Sequence, residues 1–147
     1  MALEILTEDK ITIQEKTTNW STAIQEAAQP LLNDQFITKE YINEMIDSVN
    51  ELGPYIVIAP EIAIAHARPN ENVNKVGLSL LKLNRHINFS EDGHYASLIF
   101  VLSAIDSHSH LSVLQDLAKV LGDKDKVSKL LETQNKSEIL NILKEND

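Results

Sequence analysis

The segment YASLIFVLSA, residues 95–104, restricts the fold more than any other part of the chain. Successive side chains of a strand point to opposite faces of its sheet, so a strand that is apolar at nearly every position needs cover on both. The run is far short of the ~20 apolar residues that span a bilayer, so that cover has to come from the protein itself. Helical stripes on either side of it supply the material. Trp20, Ala23, Ile24, Ala27, Ala28 and Leu31 recur at the i, i+3, i+4 spacing of one helix face, with Pro30 expected to end or kink the helix. Thr38 is the expected N-cap of a second helix, whose stripe of Tyr41, Met45, Val49 and Leu52 is widened by Ile42 and Ile46 and stopped by Gly53 and Pro54. Beyond the strand, Leu111, Leu114, Leu117, Ala118 and Leu121 form a third stripe, closed by Gly122 as a C′ residue. Asp123 or Asp125 caps a fourth helix with Val127, Leu130 and Leu131, and Ser137 caps a fifth with Ile139, Leu140 and Leu143.

Between these helices lie further strands. YIVIA and IAIA are rich in β-branched residues and flank Pro60, which reads as strand, turn and short strand, with His66 at the exit. KVGLSLLKL, residues 75–83, alternates Val76, Leu78 and Leu80 as a half-buried strand does. The expected order is α, α, β, β, β, β, α, α, α, an α/β chain whose sheet packs between helical layers. At 147 residues one domain over 1–147 is expected, and neither composition nor an internal repeat suggests a second.

Charge and composition exclude several functions. A net charge of −9 opposes general nucleic-acid binding, which requires clustered lysine and arginine. Arg68, Lys75, Lys82 and Arg85, opposed only by Glu71, leave room for a local positive patch. No cysteine is present, so disulfides, thiolate metal sites and a cysteine nucleophile are excluded within this chain. The start, MALEILTEDK, has no basic segment followed by an apolar one, which with the short apolar runs predicts a soluble cytoplasmic protein.

The histidines carry the chemistry. Of five, His86 and His94 stand among Asn84, Asn88, Glu91 and Asp92 and read as surface residues. His66 ends a strand and His110 opens a helix after the most apolar strand, positions where ligands bind in helix-covered sheets. If the two ends converge, a neutral imidazole can act as nucleophile toward phosphorus. The helix start SHSHL offers unpaired N–H groups and two hydroxyls to a phosphoryl group, and its dipole disfavours imidazolium at His110. Arg68, two residues past His66, adds a fork of donors. Such a set suffices for phosphoryl transfer without metal or cofactor.

YINEMIDSVNELGPYIVIAPEIAIAHARP resembles the active-site region of phosphotransferase-system enzyme IIA components of the mannitol and fructose superfamily, its ascorbate branch above all. SHSHLSVLQDLAKVL is similar to that family's second motif, a histidine opening a helix after the central strand. The resemblance implies a mixed β-sheet sandwiched between helical layers and a phosphocarrier. It assigns His66 as acceptor of a phosphoryl group from phospho-HPr and His110 as its active-site neighbour. The group would pass to a cysteine of a separate IIB component, which serves a membrane IIC for uptake of a sugar, ascorbate by the branch. Three positions depart from the family pattern: Ala65 stands where proline usually precedes the acceptor, which loosens the approach to His66. Ser48 replaces an arginine of the second helix, and Ser109 an acidic residue before the second histidine. Arg68 is therefore the candidate cation.

Two other readings compete. A regulatory module that reports its phosphorylation state by binding a partner would carry the same two histidines. A metal protein would use His66, His108 and His110, and two ligands spaced i, i+2 need others from elsewhere. An exposed edge strand or apolar helix face leaves room for a homodimer.

Overall fold

A computed structural model of the protein describes residues 2–90 and 93–144. The run at 95–104 does form the most enclosed element, strand β5, Tyr95–Ser103, with every residue from Ala96 onward buried. Before it come β1, Ile11–Gln14, α1, Trp20–Asn33, α2, Lys39–Leu52, and the strands β2, Val57–Ala59, β3, Glu61–Ala65, and β4, Gly77–Asn88. After it come α3, Ser107–Leu121, α4, Lys124–Glu132, and α5, Lys136–Lys144. Two 3-10 turns, Ala2–Ile5 and Glu8–Lys10, precede β1.

The strands form one mixed sheet in the order β1-β4-β5-β3-β2. The pairs β1 with β4 and β3 with β5 are parallel, and the pairs β4 with β5 and β2 with β3 antiparallel. Alternation along β5 from Leu98 divides the core: Ile99 and Val101 pack with α1 and α2, as does Ala96 before an irregularity in the ladder, whereas Leu98, Phe100 and Leu102 pack with α3, α4, α5 and the first 3-10 turn. The sandwich expected from the sequence is the observed architecture. Each buried leucine, isoleucine or phenylalanine contributes roughly 1.5–3 kcal/mol, so the two layers hold the sheet rigidly from both sides. No helix among the described residues is long and apolar enough to cross a membrane.

Several local expectations are corrected. β1 was not foreseen, because ITIQ is short and finds its partner in β4, far along the chain. Pro30 does not end α1, which runs on to Asn33 because Leu31, fully buried, anchors the last turn in the core. Thr38 caps α2 by position only: its carbonyl accepts from the Tyr41 N–H at 3.1 Å, while its hydroxyl finds no partner among the described residues. Gly53 ends that helix at φ +86° as expected, but Gly122 is helical at φ −79°, since α4 starts two residues later. Asp123 caps α4, accepting from the Asp125 and Lys126 amides, whereas α5 is capped by Asn135, not by Ser137, through the Glu138 N–H at 3.1 Å. The positive patch does not gather: Lys82 is fully buried in the sheet, Arg85 pairs with Glu15, and Lys75 lies over the Phe36 ring. His86 is exposed and His94 hydrogen-bonds Ser90, while Glu91 and Asp92 lie outside the described residues.

Candidate functional site

Because β3 and β5 are parallel neighbours, with Ala65 beside Val101, the chain leaves both strands at the same edge of the sheet. His66 is the first residue past β3, and α3 begins four residues past the end of β5. The two imidazoles meet there, centroids 5.1 Å apart and planes at 82°. They line one crevice of about 400 Å³ together with Ser48, Leu52, Tyr55, Arg68 and Ser107. All three residues singled out from the sequence, His66, His110 and Arg68, are thus brought together. His108 is exposed on the same first turn, and among the described residues no group of three or more His, Cys, Asp or Glu could hold a metal ion.

The approach to His66 is held by several bonds. Its Nδ1 lies 2.9 Å from the Ile64 carbonyl oxygen, which only accepts, so Nδ1 carries the proton and Nε2 the lone pair. The Tyr55 ring stands edge-on to the imidazole at 5.8 Å, and its hydroxyl donates to the His66 carbonyl at 3.4 Å. Ala65, the residue before His66, stays in the ladder and is fully buried. The loop after Arg68 is tied to α2 by Glu44, whose two carboxylate oxygens accept from Asn70 at 2.6 Å and Asn72 at 2.5 Å. Arg68 itself is exposed and enters no ion pair among the described residues.

The other wall is the start of α3. Asp106 caps it, accepting from the Ser109 N–H at 2.8 Å and the Ser109 hydroxyl at 2.9 Å. This corrects the expectation of two free hydroxyls, since Ser109 is engaged by Asp106 and only Ser107 faces the crevice. Burial, first, and the nearby His66, second, lower the His110 pKa, which favours the neutral imidazole. Ser48 does line the site, so α2 contributes a hydroxyl there and no cation.

Sequence reasoning did not find Tyr41, Glu44, Tyr55 or Asp106. Asp106 had a signal, an aspartate directly before a helical stripe. The other three act on backbone or loops that only the fold brings near.

Residues 4–146 match the family model described as "Phosphoenolpyruvate-dependent sugar phosphotransferase system, EIIA 2". Among curated relatives, the mannitol-specific cryptic phosphotransferase enzyme IIA component of Escherichia coli strain K12 is 30% identical over 136 residues, 92% of each chain. The ascorbate-specific PTS system EIIA component of the same strain is 28% identical over 141 residues, covering 94% of this chain and 92% of the relative. The solution structure of the mannitol-specific cryptic enzyme IIA from Escherichia coli superposes with a TM-score of 0.90 at 29% identity, covering 99% of this chain and 100% of that one.

Proposed function

The chain belongs to the EIIA 2 family of the phosphoenolpyruvate-dependent sugar phosphotransferase system, and so is a phosphotransferase component of it; from that premise we propose that His66 is its phosphoryl acceptor. The observation that carries the reading is the pinned tautomer: a proton fixed on Nδ1 by the Ile64 carbonyl leaves the Nε2 lone pair free beside His110 and Arg68. Nε2 attacks the phosphorus of phospho-HPr. The new N–P bond forms as the donor's P–N bond breaks, and the electron pair leaves with the donor imidazole. The Arg68 guanidinium, one N–H of neutral His110 and the hydroxyls of Ser48 and Ser107 meet the phosphoryl oxygens, so no metal is required.

The group then passes to a cysteine of a IIB component, residues 1–147 containing no cysteine of their own. Both partners dock in turn, in the cytoplasm, on the rim of the crevice. Leu52 and Tyr55 line it, 72% and 41% exposed, and Ile105 and Leu111, each 56% exposed, flank Ser107 and His110 in sequence. Apolar residues this exposed around a polar centre suit transient interfaces. The sugar is selected in the membrane component. We take it to be ascorbate, with mannitol the competing substrate because relatives named for each match this chain about equally.

The test is incubation with phosphoenolpyruvate, enzyme I and HPr, followed by intact mass at neutral pH and after brief acid. An added ~80 Da that acid removes and that His66→Ala never acquires supports the acceptor role. No added mass, with a competent relative labelled in the same tube, overturns it and leaves a regulatory module.

A further inference from the structure

The parallel ladder between β3 and β5 ends at Ala65 and Val101, one residue short of His66. A continuing ladder would carry a direct N–H to C=O bond across the next step. Instead the hydroxyl of Tyr41, from α2, stands between the strands. It accepts from the Ala67 N–H at 3.1 Å and lies 2.9 Å from the Leu102 carbonyl and 3.2 Å from the Ala67 carbonyl. A phenol has one proton to give, and Leu102 is the nearer acceptor. The resulting chain, Ala67 N–H to hydroxyl to Leu102 C=O, is a ladder rung lengthened by one oxygen atom. Tyr41 is fully buried, and burial pushes its pKa up to about 12, so the hydroxyl keeps the proton it donates.

We infer that Tyr41 is a positioning residue for phosphoryl transfer, its hydroxyl wedging β3 and β5 apart beyond their last direct rung and thereby setting the separation of His66 and His110. Ala67 directly follows His66, and Leu102 lies at the end of β5 before the short connection to α3 and His110, so one atom bonds the backbone leading to both walls of the crevice. Phosphoryl transfer is sensitive to such spacing, because displacing a donor by about 1 Å costs up to roughly 100-fold in rate. The inference rests on the phosphocarrier reading for its kinetic consequence but not for its geometry.

The experiment compares wild type, Tyr41→Phe, His110→Ala and the double variant. Rapid-quench transfer from phospho-HPr gives rate and KM, and an NMR titration follows both imidazoles. Tyr41→Phe is expected to lower the transfer rate roughly 10- to 100-fold with KM unchanged, since the docking rim is untouched. The His110 pKa should fall further below its ordinary value as the crevice narrows, because burial and the nearness of His66 are what lower it. In the His110→Ala background the hydroxyl's loss should cost little more, because its target is gone. A lower melting temperature with wild-type transfer and an unmoved His110 titration would overturn the inference, as would rate losses that add in the double variant. If no variant is phosphorylated, wild type included, the phosphocarrier reading fails and the titration alone decides. Should Tyr41→Phe not fold, 4-fluorophenylalanine at position 41 keeps the ring and nearly its length but has no proton to donate to Leu102; an unchanged rate and titration there overturn the role equally.

Discussion

His66 and His110 stand with ring planes nearly perpendicular, 5.1 Å between centroids, so that one imidazole edge faces the other. A phosphoryl group on His66 would meet the second ring as a hydrogen-bond donor more than as a rival acceptor. His110→Ala should therefore still accept the phosphoryl label but more slowly, by roughly 10- to 100-fold, the usual cost of one donor in such a site. Equal transfer rates in wild type and variant would remove the role.

Stability should depend on His110 through pH. Its folded pKa is lowered from the ordinary 6.5, mainly by burial, so the unfolded chain binds that proton more readily. Its contribution is fully present above pH 6.5 and is lost as pH falls below that through the folded value. Melting temperatures from pH 8 to 5 should fall less steeply in His110→Gln than in wild type; parallel curves would contradict this.

Arg68→Ala should slow transfer about 10-fold or more, and Arg68→Lys should recover only part of it, because a point charge lacks the planar fork. The label's lifetime on His66 at neutral pH is a companion measurement. Unchanged kinetics in both variants would move the cation's role away from Arg68.

Leu52 closes α2 with 72% of its surface exposed beside the crevice. Leu52→Asp should raise the KM for phospho-HPr about 10-fold while leaving the rate at saturation unchanged. A fall in the saturated rate at constant KM would place Leu52 in the chemistry and not in docking.

Gly77 opens β4 against the end of α1. A Cβ there would stand 2.5 Å from Phe36 Cδ2, 2.9 Å from Leu31 Cδ2 and 3.0 Å from Ser103 Oγ. Gly77→Ala should destabilise by about 1–3 kcal/mol, as overpacking does, read from the urea midpoint. A midpoint equal to wild type would show that Phe36 swings clear.

The apolar half of this fold is legible in the sequence and the polar half is not. The stripes of α1, α2 and α3 and the run of β5 announce themselves because hydrophobic periodicity is a local signal. β4 was foreseen only over its apolar start, residues 75–83, yet it runs to Asn88 through exposed Asn84, Arg85 and His86, an irregular stretch after which Ile87 and Asn88 resume pairing with β5. β1 is legible only once β4 is known. In the site, the strand-end histidine and the helix-start histidine are positional facts a sequence can carry, and the resemblance to enzyme IIA components implies the roles proposed for them. Tyr41 reads as core from its place on a helical stripe and is core, but nothing local says that its hydroxyl reaches two strand exits.

The parallel pairing of β3 with β5 also has a bearing on quality control. The crevice draws its walls from α2, the exit of β3 and the start of α3, and the last of these, beyond β4 and β5 in the chain, joins the others only when the middle of the sheet is assembled. An incompletely folded molecule would expose His66 without its neighbours and accept the phosphoryl group poorly. On the proposed acceptor role of His66, phosphoryl transfer would thus be confined to chains that have finished folding, and the label itself would serve as a report of native structure.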